Sequence, residues 1–179
     1  PEFVRGCVMN IARRGFLAAS RFGYERIARP VIFRSSAQDA HQRMMQLLAR
    51  LDSSPILCGM LGAIHRASFE RCETVVGGVK LAYPLILSAG MVKGLGFQSE
   101  ADALNMVQQG RNIIPGWRSV PRLVGLVEFG SFTRYPRMGN GGAVIWRDVS
   151  TQSTQNRVGL KNPGALAAAA FLAKHRADL

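Results

Sequence analysis

Apolar residues recur at helical spacing near the start of the chain. Over residues 3–19 they lie three or four positions apart, which predicts an amphipathic helix with Arg5, Arg13 and Arg14 outside its apolar stripe. The stripe consists of Phe3, Val4, Cys7, Val8, Ile11, Ala12 and Phe16. Two interpretations stay open: the helix packs against its own domain, or it lies on an anionic membrane with its arginines toward the headgroups.

A second helix is predicted directly after Ser35-Ser36, in the segment AQDAHQRMMQLLARL. Either serine can accept a backbone hydrogen bond as the N-cap of this helix. Residues 53–72 contain Pro55, Gly59 and Gly62, which predicts a connection that holds at most a short helix.

From residue 74 onward the chain has short apolar runs between turn residues. The segment 74–82, TVVGGVKLA, predicts two strands that turn at Gly77-Gly78. LILSAG at 85–90 and LVEFGSF at 126–132 end in small or hydroxyl residues, as buried parallel strands often do. We further predict a helix over 99–109, a connection over 110–125, a strand at 144–146, and a helix ending near Lys174 with Asn162 as N-cap and Pro163 at its first position.

This order of elements predicts an α/β fold with parallel strands. We place its boundary after residue 72. Residues 1–72 then form a basic, helical N-terminal extension, and residues 73–179 form the part that contains the strands.

Composition indicates a folded chain with a strong positive charge. The 179 residues are 47% hydrophobic and 19% charged, which excludes a disordered chain, and the net charge is +12. Residues 1–72 hold 11 arginines and 5 acidic residues, and residues 73–179 hold 12 basic and 6 acidic residues, so each segment carries +6. Such a surface favours anionic partners: phosphate, nucleic acid, acidic lipid or a carboxylate substrate.

The cysteines and the apolar runs exclude further classes. Cys7, Cys58 and Cys72 are odd in number and widely spaced, so we expect a reducing compartment and neither a disulfide framework nor a metal site. No apolar run approaches the roughly 20 residues that span a bilayer. Arg13 and Arg14 interrupt the first apolar stretch too early for a secretory signal. Nucleic-acid-binding signatures are missing, so nucleic acid is not an expected partner.

Three polar stretches follow predicted strands, where ligands bind in parallel α/β folds. They are SAGMVK at 88–93, GSFT at 130–133 and NRVGL at 156–160. Small residues let a flat ligand approach the backbone, Lys93 supplies a cation, and the Asn156 amide both donates and accepts as a pyrimidine edge requires. Each feature also has an ordinary alternative: a solvated lysine, a hydroxyl cap or a structural asparagine.

In their order and spacing these stretches resemble the dihydroorotate dehydrogenases, most closely the membrane-associated, quinone-linked class. The family's first barrel strand ends in Ala-Ala-Gly-x-Asp-Lys, where this chain has SAGMVK. Its second strand gives Glu-Ile-Gly-Thr/Ser-Val-Thr and later Gly-Asn, where this chain has EFGSFTRYPRMGN at 128–140. Its Asn-Arg-x-Gly-Phe-Asn-x-x-Gly corresponds to NRVGLKNPG at 156–164, and Asp39-Ala40-His41 looks like the Ala-His helix of the quinone class.

The resemblance covers residues 20–179 and implies an FMN-binding (β/α)8 TIM barrel that oxidises dihydroorotate to orotate in pyrimidine biosynthesis. It implies FMN contacts at Ala89, Gly90, Met91, Val92, Lys93 and Ser131. It implies substrate contacts at Lys93, Asn156, Arg157, Val158, Gly159 and Leu160. It also implies a quinone acceptor on the side of His41, peripheral membrane contact through residues 1–35, and a location on the cytoplasmic side of the inner membrane or in the cytoplasm.

Some positions depart from the family pattern. The replacements are Val92 for Asp, Leu160 for Phe, Lys161 for Asn, and Val144 for a quinone-side Arg. Because a whole barrel takes about 250 residues, we expect only its first part here, with the catalytic base beyond Leu179 and no turnover by the chain alone. Two alternatives stay open: an FMN barrel with another substrate, or a non-catalytic basic module that binds membrane or nucleic acid.

Overall fold

The structure is a computed structural model that describes residues 11–178; the predicted stripe residues Phe3, Val4, Cys7 and Val8 lie outside them. The α-helices are α1 (Ile11–Gly23), α2 (Arg29–Phe33), α3 (Ala37–Asp52), α4 (Pro55–Ser68), α5 (Glu100–Gln108) and α6 (Ala165–Lys174). The strands are β1 (Thr74–Val76), β2 (Val79–Leu81), β3 (Ile86–Leu87), β4 (Leu126–Val127), β5 (Ile145–Asp148) and β6 (Ser153–Asn156). A π-helical turn (Tyr24–Ala28) joins α1 to α2, and short 3-10 turns lie at Val120–Arg122 and Arg176–Asp178. This mixture of helices and strands fits the predicted α/β class.

The strands form three pairs. β1 and β2 make the predicted antiparallel hairpin, and β3 pairs with β4 in parallel, with Ile86 opposite Leu126. β5 and β6 form a second antiparallel hairpin, with Ile145 opposite Asn156. Each sheet in residues 11–178 has two strands, so these residues do not close a barrel.

The predicted burial of β3 and β4 is wrong for one of the two residues in each strand. Ile86 is 57% exposed and Leu126 is 46% exposed. A parallel strand is buried when helices cover both faces of its sheet. The β3–β4 pair has only two strands, so Leu87 and Val127 pack against the hydrophobic core while Ile86 and Leu126 remain at the surface.

Two other elements differ from prediction because their composition hides them. Residues 53–72 were predicted as a connection but hold the 14-residue helix α4, which begins where the Ser54 side chain accepts the N–H of Leu57 at 3.3 Å. Pro55 takes the first helical position, where its missing N–H costs nothing. β6 lies in a polar run without the apolar alternation that usually predicts a strand.

Of the two serines predicted as possible caps of α3, Ser36 is confirmed, whereas the predicted asparagine cap of α6 is wrong. Ser36 accepts the N–H of Asp39 at 3.0 Å at the start of α3. Asn162, however, does not cap α6, because this helix begins only at Ala165, after Gly164 in a left-handed conformation with φ 82°. Asn162 is instead buried, and its side chain bonds the neighbouring loops.

One hydrophobic core joins α3, α5, α6 and the connection between α5 and β4. Its buried members are Leu48, Val92, Ala103, Val107, Ile113, Ile114, Trp117, Val120, Ala167, Ala168 and Phe171. At its edge the connection folds around the carboxylate of Asp52, the last residue of α3. This carboxylate accepts from Asn112 Nδ2 at 2.9 Å, Gly116 N at 2.6 Å, and Ser119 N at 2.9 Å. A buried carboxylate with this many donors is well compensated for its lost hydration.

The N-terminal helices expose much apolar surface. Ile11 is 87% exposed, Phe22 62% and Ile27 64%. No single helix within residues 11–178 has the length and apolar character needed to cross a bilayer. α3 and α4, which meet at 105°, reach that length and character only when they are taken together.

Candidate functional site

The parallel pairing of β3 and β4 brings the first two polar stretches side by side. The N–H of Glu128 donates to the Leu87 carbonyl at 2.9 Å, and the N–H of Gly130 donates to the Val92 carbonyl at 3.0 Å. The Glu128 side chain also accepts the N–H of Ala89 at 3.1 Å. These bonds hold residues 88–93 against residues 128–131.

The β5–β6 hairpin delivers the third stretch, because Asn156 is the last residue of β6. Beyond it, the N–H of Arg157 donates to the Val144 carbonyl at 2.8 Å. Asn140 then fixes the next two residues: its side chain donates to the Arg157 carbonyl at 2.6 Å, and its backbone N–H donates to the Val158 carbonyl at 3.0 Å.

A cavity of about 170 Å³ lies where the three stretches meet. Eight of the predicted site residues line it: Ala89, Gly90, Lys93, Ser131, Asn156, Val158, Gly159 and Leu160. Gly130 and Lys161 complete the lining. Residues from three separate segments of sequence therefore converge on one concave surface, which we call the inner cavity.

Three of the predicted site residues lie away from the inner cavity. The Met91 side chain is exposed, and Val92 is fully buried in the hydrophobic core. The Arg157 guanidinium donates to the Ala143 carbonyl at 3.2 Å and lies 5.8 Å from the ring of Trp146. Val92 enters the core because its side chain is apolar, so only its backbone carbonyl contributes to the arrangement of the two stretches.

His41 lines a second cavity of about 170 Å³, which we call the outer cavity. It shares Lys93, Val158 and Lys161 with the inner cavity. Gln38, one turn before His41 on α3, accepts the N–H of Val144 at 2.7 Å and donates to the Gly142 carbonyl at 3.3 Å. This pair of bonds fixes α3 against the loop before β5.

The two cavities are electrostatically positive. Burial, and then the positive charge of Lys161, lowers the pKa of Lys93. Burial, followed by the charges of Lys93 and Lys161, lowers the pKa of His41. His41 is therefore mostly neutral at pH 7, while the lysines carry the charge that an anionic ligand meets.

The inner cavity suits a flat, electron-rich group. Gly90 has φ 117°, a conformation that favours glycine, and a Cβ built on it would extend into open space. A side chain there would thus occupy room that the glycine leaves to a ligand. Ala89 and Gly130 keep the neighbouring wall low, and Lys93 supplies a cation beside it. These residues leave room for a flat ligand beside a cation.

Sequence reasoning missed the residues that organise this site. Asn140, Glu128 and Asn162 act through hydrogen bonds to backbone groups of other segments. Asn140 and Glu128 lie within the family-like stretch 128–140, and this resemblance was the sequence signal that could have identified them. Lys161 was noted only as a replacement, yet it lines both cavities.

A cation-lined cavity beyond a pair of parallel strands is the kind of site at which α/β enzymes bind anionic ligands and cofactors. No family model matches the chain. Among curated proteins, the chain is similar to dihydroorotate dehydrogenase (quinone) of three organisms. In Salinispora arenicola the identity is 32% over 153 residues, which cover 84% of this chain and 39% of the relative. The Gloeobacter violaceus protein is 31% identical over 151 residues, which cover 84% of this chain and 37% of the relative. The Chloroflexus aurantiacus protein is 30% identical over 149 residues, which cover 82% of this chain and 36% of the relative.

The predicted resemblance to the quinone-linked dihydroorotate dehydrogenases is thereby confirmed over most of this chain. The chain spans between 36% and 39% of the length of these relatives. Because the chain spans only part of these relatives, dihydroorotate dehydrogenase activity is treated as a proposal for it.

Proposed function

We propose that this chain forms the flavin- and pyrimidine-facing part of a dihydroorotate dehydrogenase whose barrel is completed by residues outside positions 1–179. The single observation that carries the proposal is the inner cavity, where three family-like stretches meet. The general base that removes the substrate proton is proposed to lie outside residues 1–179.

FMN would be held by Ala89, Gly90, Lys93 and Ser131, with the backbone of Met91 and Val92 behind them. When bound, FMN accepts a hydride from the substrate. The ammonium group of Lys93 stabilises negative charge at the edge of the cavity, and an anionic group there opposes the burial and the Lys161 charge that lower the pKa of Lys93.

Dihydroorotate would lie against Asn156, Val158, Gly159 and Leu160. The Asn156 amide pairs with a ring carbonyl and a ring N–H at once, because it offers a donor and an acceptor side by side. The positive lining suits the carboxylate that dihydroorotate carries. Arg157 contributes through its backbone, since its guanidinium is engaged at Ala143.

The outer cavity would take the electron acceptor, a quinone, beside His41. A neutral imidazole within this cavity is able to exchange a hydrogen bond with a quinone oxygen without adding charge. The exposed apolar residues of α1 and α2, interspersed with arginines, support peripheral membrane contact through residues 1–35. This contact would place the protein on the cytoplasmic side of the inner membrane.

The proposal is tested by adding FMN to the purified chain and recording flavin fluorescence and visible absorption. Binding is expected to quench the fluorescence, and orotate is expected to shift the absorption bands. Lys93→Ala should weaken FMN binding roughly tenfold, whereas Lys80→Ala, on the distant β1–β2 hairpin, should leave it unchanged. Equal FMN affinity in the wild type and Lys93→Ala would contradict the proposal.

A related flavin barrel with another substrate is the second candidate. Leu160 favours it, because this side chain is 58% exposed at the rim of the inner cavity, where the family pattern has an aromatic residue. A chain that binds FMN but whose flavin spectrum does not respond to orotate would support this candidate.

A further inference from the structure

The backbone around Lys161 is fixed on both sides. Leu160 has a positive φ of 52°. Its backbone carbonyl accepts a hydrogen bond of 2.5 Å from the side-chain amide of Asn162. Asn162 and Arg137 exchange two backbone hydrogen bonds of 2.9 and 3.1 Å. Left-handed backbone in a residue other than glycine costs about 1 kcal/mol or more, and here the surrounding bonds hold it. The chain thus sets the direction in which Lys161 leaves the backbone.

Two glycines make room for the stem of this lysine. A Cβ built on Gly96 would lie 2.8 Å from Cγ of Lys161, and a Cβ built on Gly139 would lie 3.0 Å from its Cβ. A side chain would first meet a backbone carbonyl, that of Arg137 at Gly96 and that of Val158 at Gly139, and then the lysine stem. The stem is held between these backbones, and the residue lines both the inner and the outer cavity.

The positive charge that Lys161 adds is not neutralised by an ion pair in residues 11–178, and the Glu128 carboxylate beside the inner cavity accepts the N–H of Ala89. None of the residues that line the two cavities is acidic. Within residues 11–178, neither Lys161 nor Lys93 forms an ion pair with a carboxylate. Lys161 nevertheless acts on both neighbours, because its charge contributes to the lowered pKa of Lys93 and of His41. Two uncompensated cations at one cavity favour an anion between them.

We propose that Lys161, where the family pattern has Asn, adds a second cation beside Lys93 for the carboxylate of the ligand, and that this added cation strengthens the preference of the inner cavity for pyrimidines that carry a carboxylate. This assignment rests on the proposed function, which supplies the ligand. Lys161 is a specificity-determining residue whose fixed stem places it in the lining of both cavities. Asn156 and the glycine backbone then contact the pyrimidine ring.

The test compares binding of orotate, uracil and inorganic phosphate to the purified chain by isothermal titration calorimetry. Lys161→Gln should weaken orotate binding roughly tenfold, because a charge-assisted contact is lost. Uracil, which lacks the carboxylate, should bind Lys161→Gln as it binds the wild type. Lys161→Arg should keep most of the orotate affinity, and Lys80→Gln, a lysine on β2, should keep all of it. Circular dichroism verifies that each variant is folded.

Unchanged orotate affinity in Lys161→Gln would overturn the assignment. If Asn156→Ala still weakened orotate binding, the proposed function would survive that result. Phosphate binding as tight as orotate binding, and equally dependent on Lys161, would reduce the lysine pair to a general anion site and overturn the selectivity. Failure of the wild type to bind orotate would also overturn the assignment of Lys161. FMN binding measured on the same sample would then show whether the flavin part of the proposed function stands.

Discussion

Asn162 and Thr133 are bonded in both directions. The Asn162 amide donates to Thr133 Oγ1 at 2.9 Å, and its side-chain oxygen accepts the N–H of Thr133 at 3.1 Å. The same oxygen accepts the N–H of Gly164 at 2.9 Å, so one buried side chain ties the loop after β4 to the start of α6. Asn162→Ala leaves these N–H groups unpaired and should lower the free energy of unfolding by about 2–4 kcal/mol.

Urea denaturation followed by circular dichroism measures this loss. The matched control is Asn105→Ala on the exposed face of α5, which removes only the 3.2 Å bond from Gln109. Its cost should stay below about 0.5 kcal/mol. Similar losses for the two variants would mean that the buried amide network does not stabilise the fold.

Asp52 should matter more than any surface carboxylate. Asp52→Ala removes the acceptor of at least three N–H groups in the segment 112–119 and is expected to destabilise the protein by about 3 kcal/mol or more. Because Trp117 lies inside this segment, its near-ultraviolet dichroism should weaken too. Asp39→Ala, an exposed residue on α3, serves as the control and should cost about 1 kcal/mol or less. A near-native unfolding midpoint for Asp52→Ala would refute the role of this carboxylate.

The stability of the protein should fall as His41 is forced to take up a proton. Its folded-state pKa lies below the unfolded value of about 6.5, so the unfolded chain binds the proton first as the pH falls. The stabilising contribution is present above the unfolded pKa and is lost progressively as the pH falls from about 6.5 toward the folded-state pKa. Denaturation at pH 8 and pH 5.5 should show a smaller loss for His41→Gln than for the wild type. Burial also lowers the pKa of His65, so the stability of His41→Gln should still depend on pH in part through His65.

Nuclear magnetic resonance gives the direct check on His41. Lys161→Gln should raise the pKa of His41, because a positive neighbour is removed. Lys80→Gln, remote from the cavities, should leave it where it is. A pKa of His41 at or above 6.5 in the wild type would contradict the arrangement of charges described above.

Asn156 should contribute to recognition of the pyrimidine and not to binding of the flavin. Asn156→Ala removes a donor and an acceptor at the wall of the inner cavity, so the dissociation constant for orotate should rise about tenfold or more. The affinity for FMN should change less than about twofold. Asn105→Ala is again the control, and an unchanged orotate affinity in Asn156→Ala would return this residue to a structural role.

Local signals predicted the elements well where the side chains acted within their own segment. The glycine pair at 77–78 marks a turn, and Ser36 caps the helix that follows it. Asn162 misled the prediction because its buried amide bonds both Gly164, just before the adjacent helix, and Thr133 in a distant loop, which local sequence does not show. β6 escaped because its pairing with β5, and not its own composition, makes it a strand.

The candidate site could be predicted as a set of stretches but not as a set of side-chain directions. Parallel pairing of β3 and β4 follows from their apolar runs, and it brings two of the stretches together. Whether a side chain enters the cavity depends on packing that sequence does not display. Val92 turns into the core and Arg157 toward Ala143, while Lys161 reaches the cavities because Gly96 and Gly139 leave space for it.

The bonds around Asp52 join groups that are 60 to 67 residues apart in sequence. Closing so long a loop has a large entropic cost, so such contacts form after the local helices and hairpins during folding. We therefore expect the amide protons of Gly116 and Ser119 to exchange with solvent mainly through opening of the whole domain. Protection of these two amides from hydrogen exchange during refolding would therefore indicate when α3 and the α5–β4 connection have formed one cooperative unit.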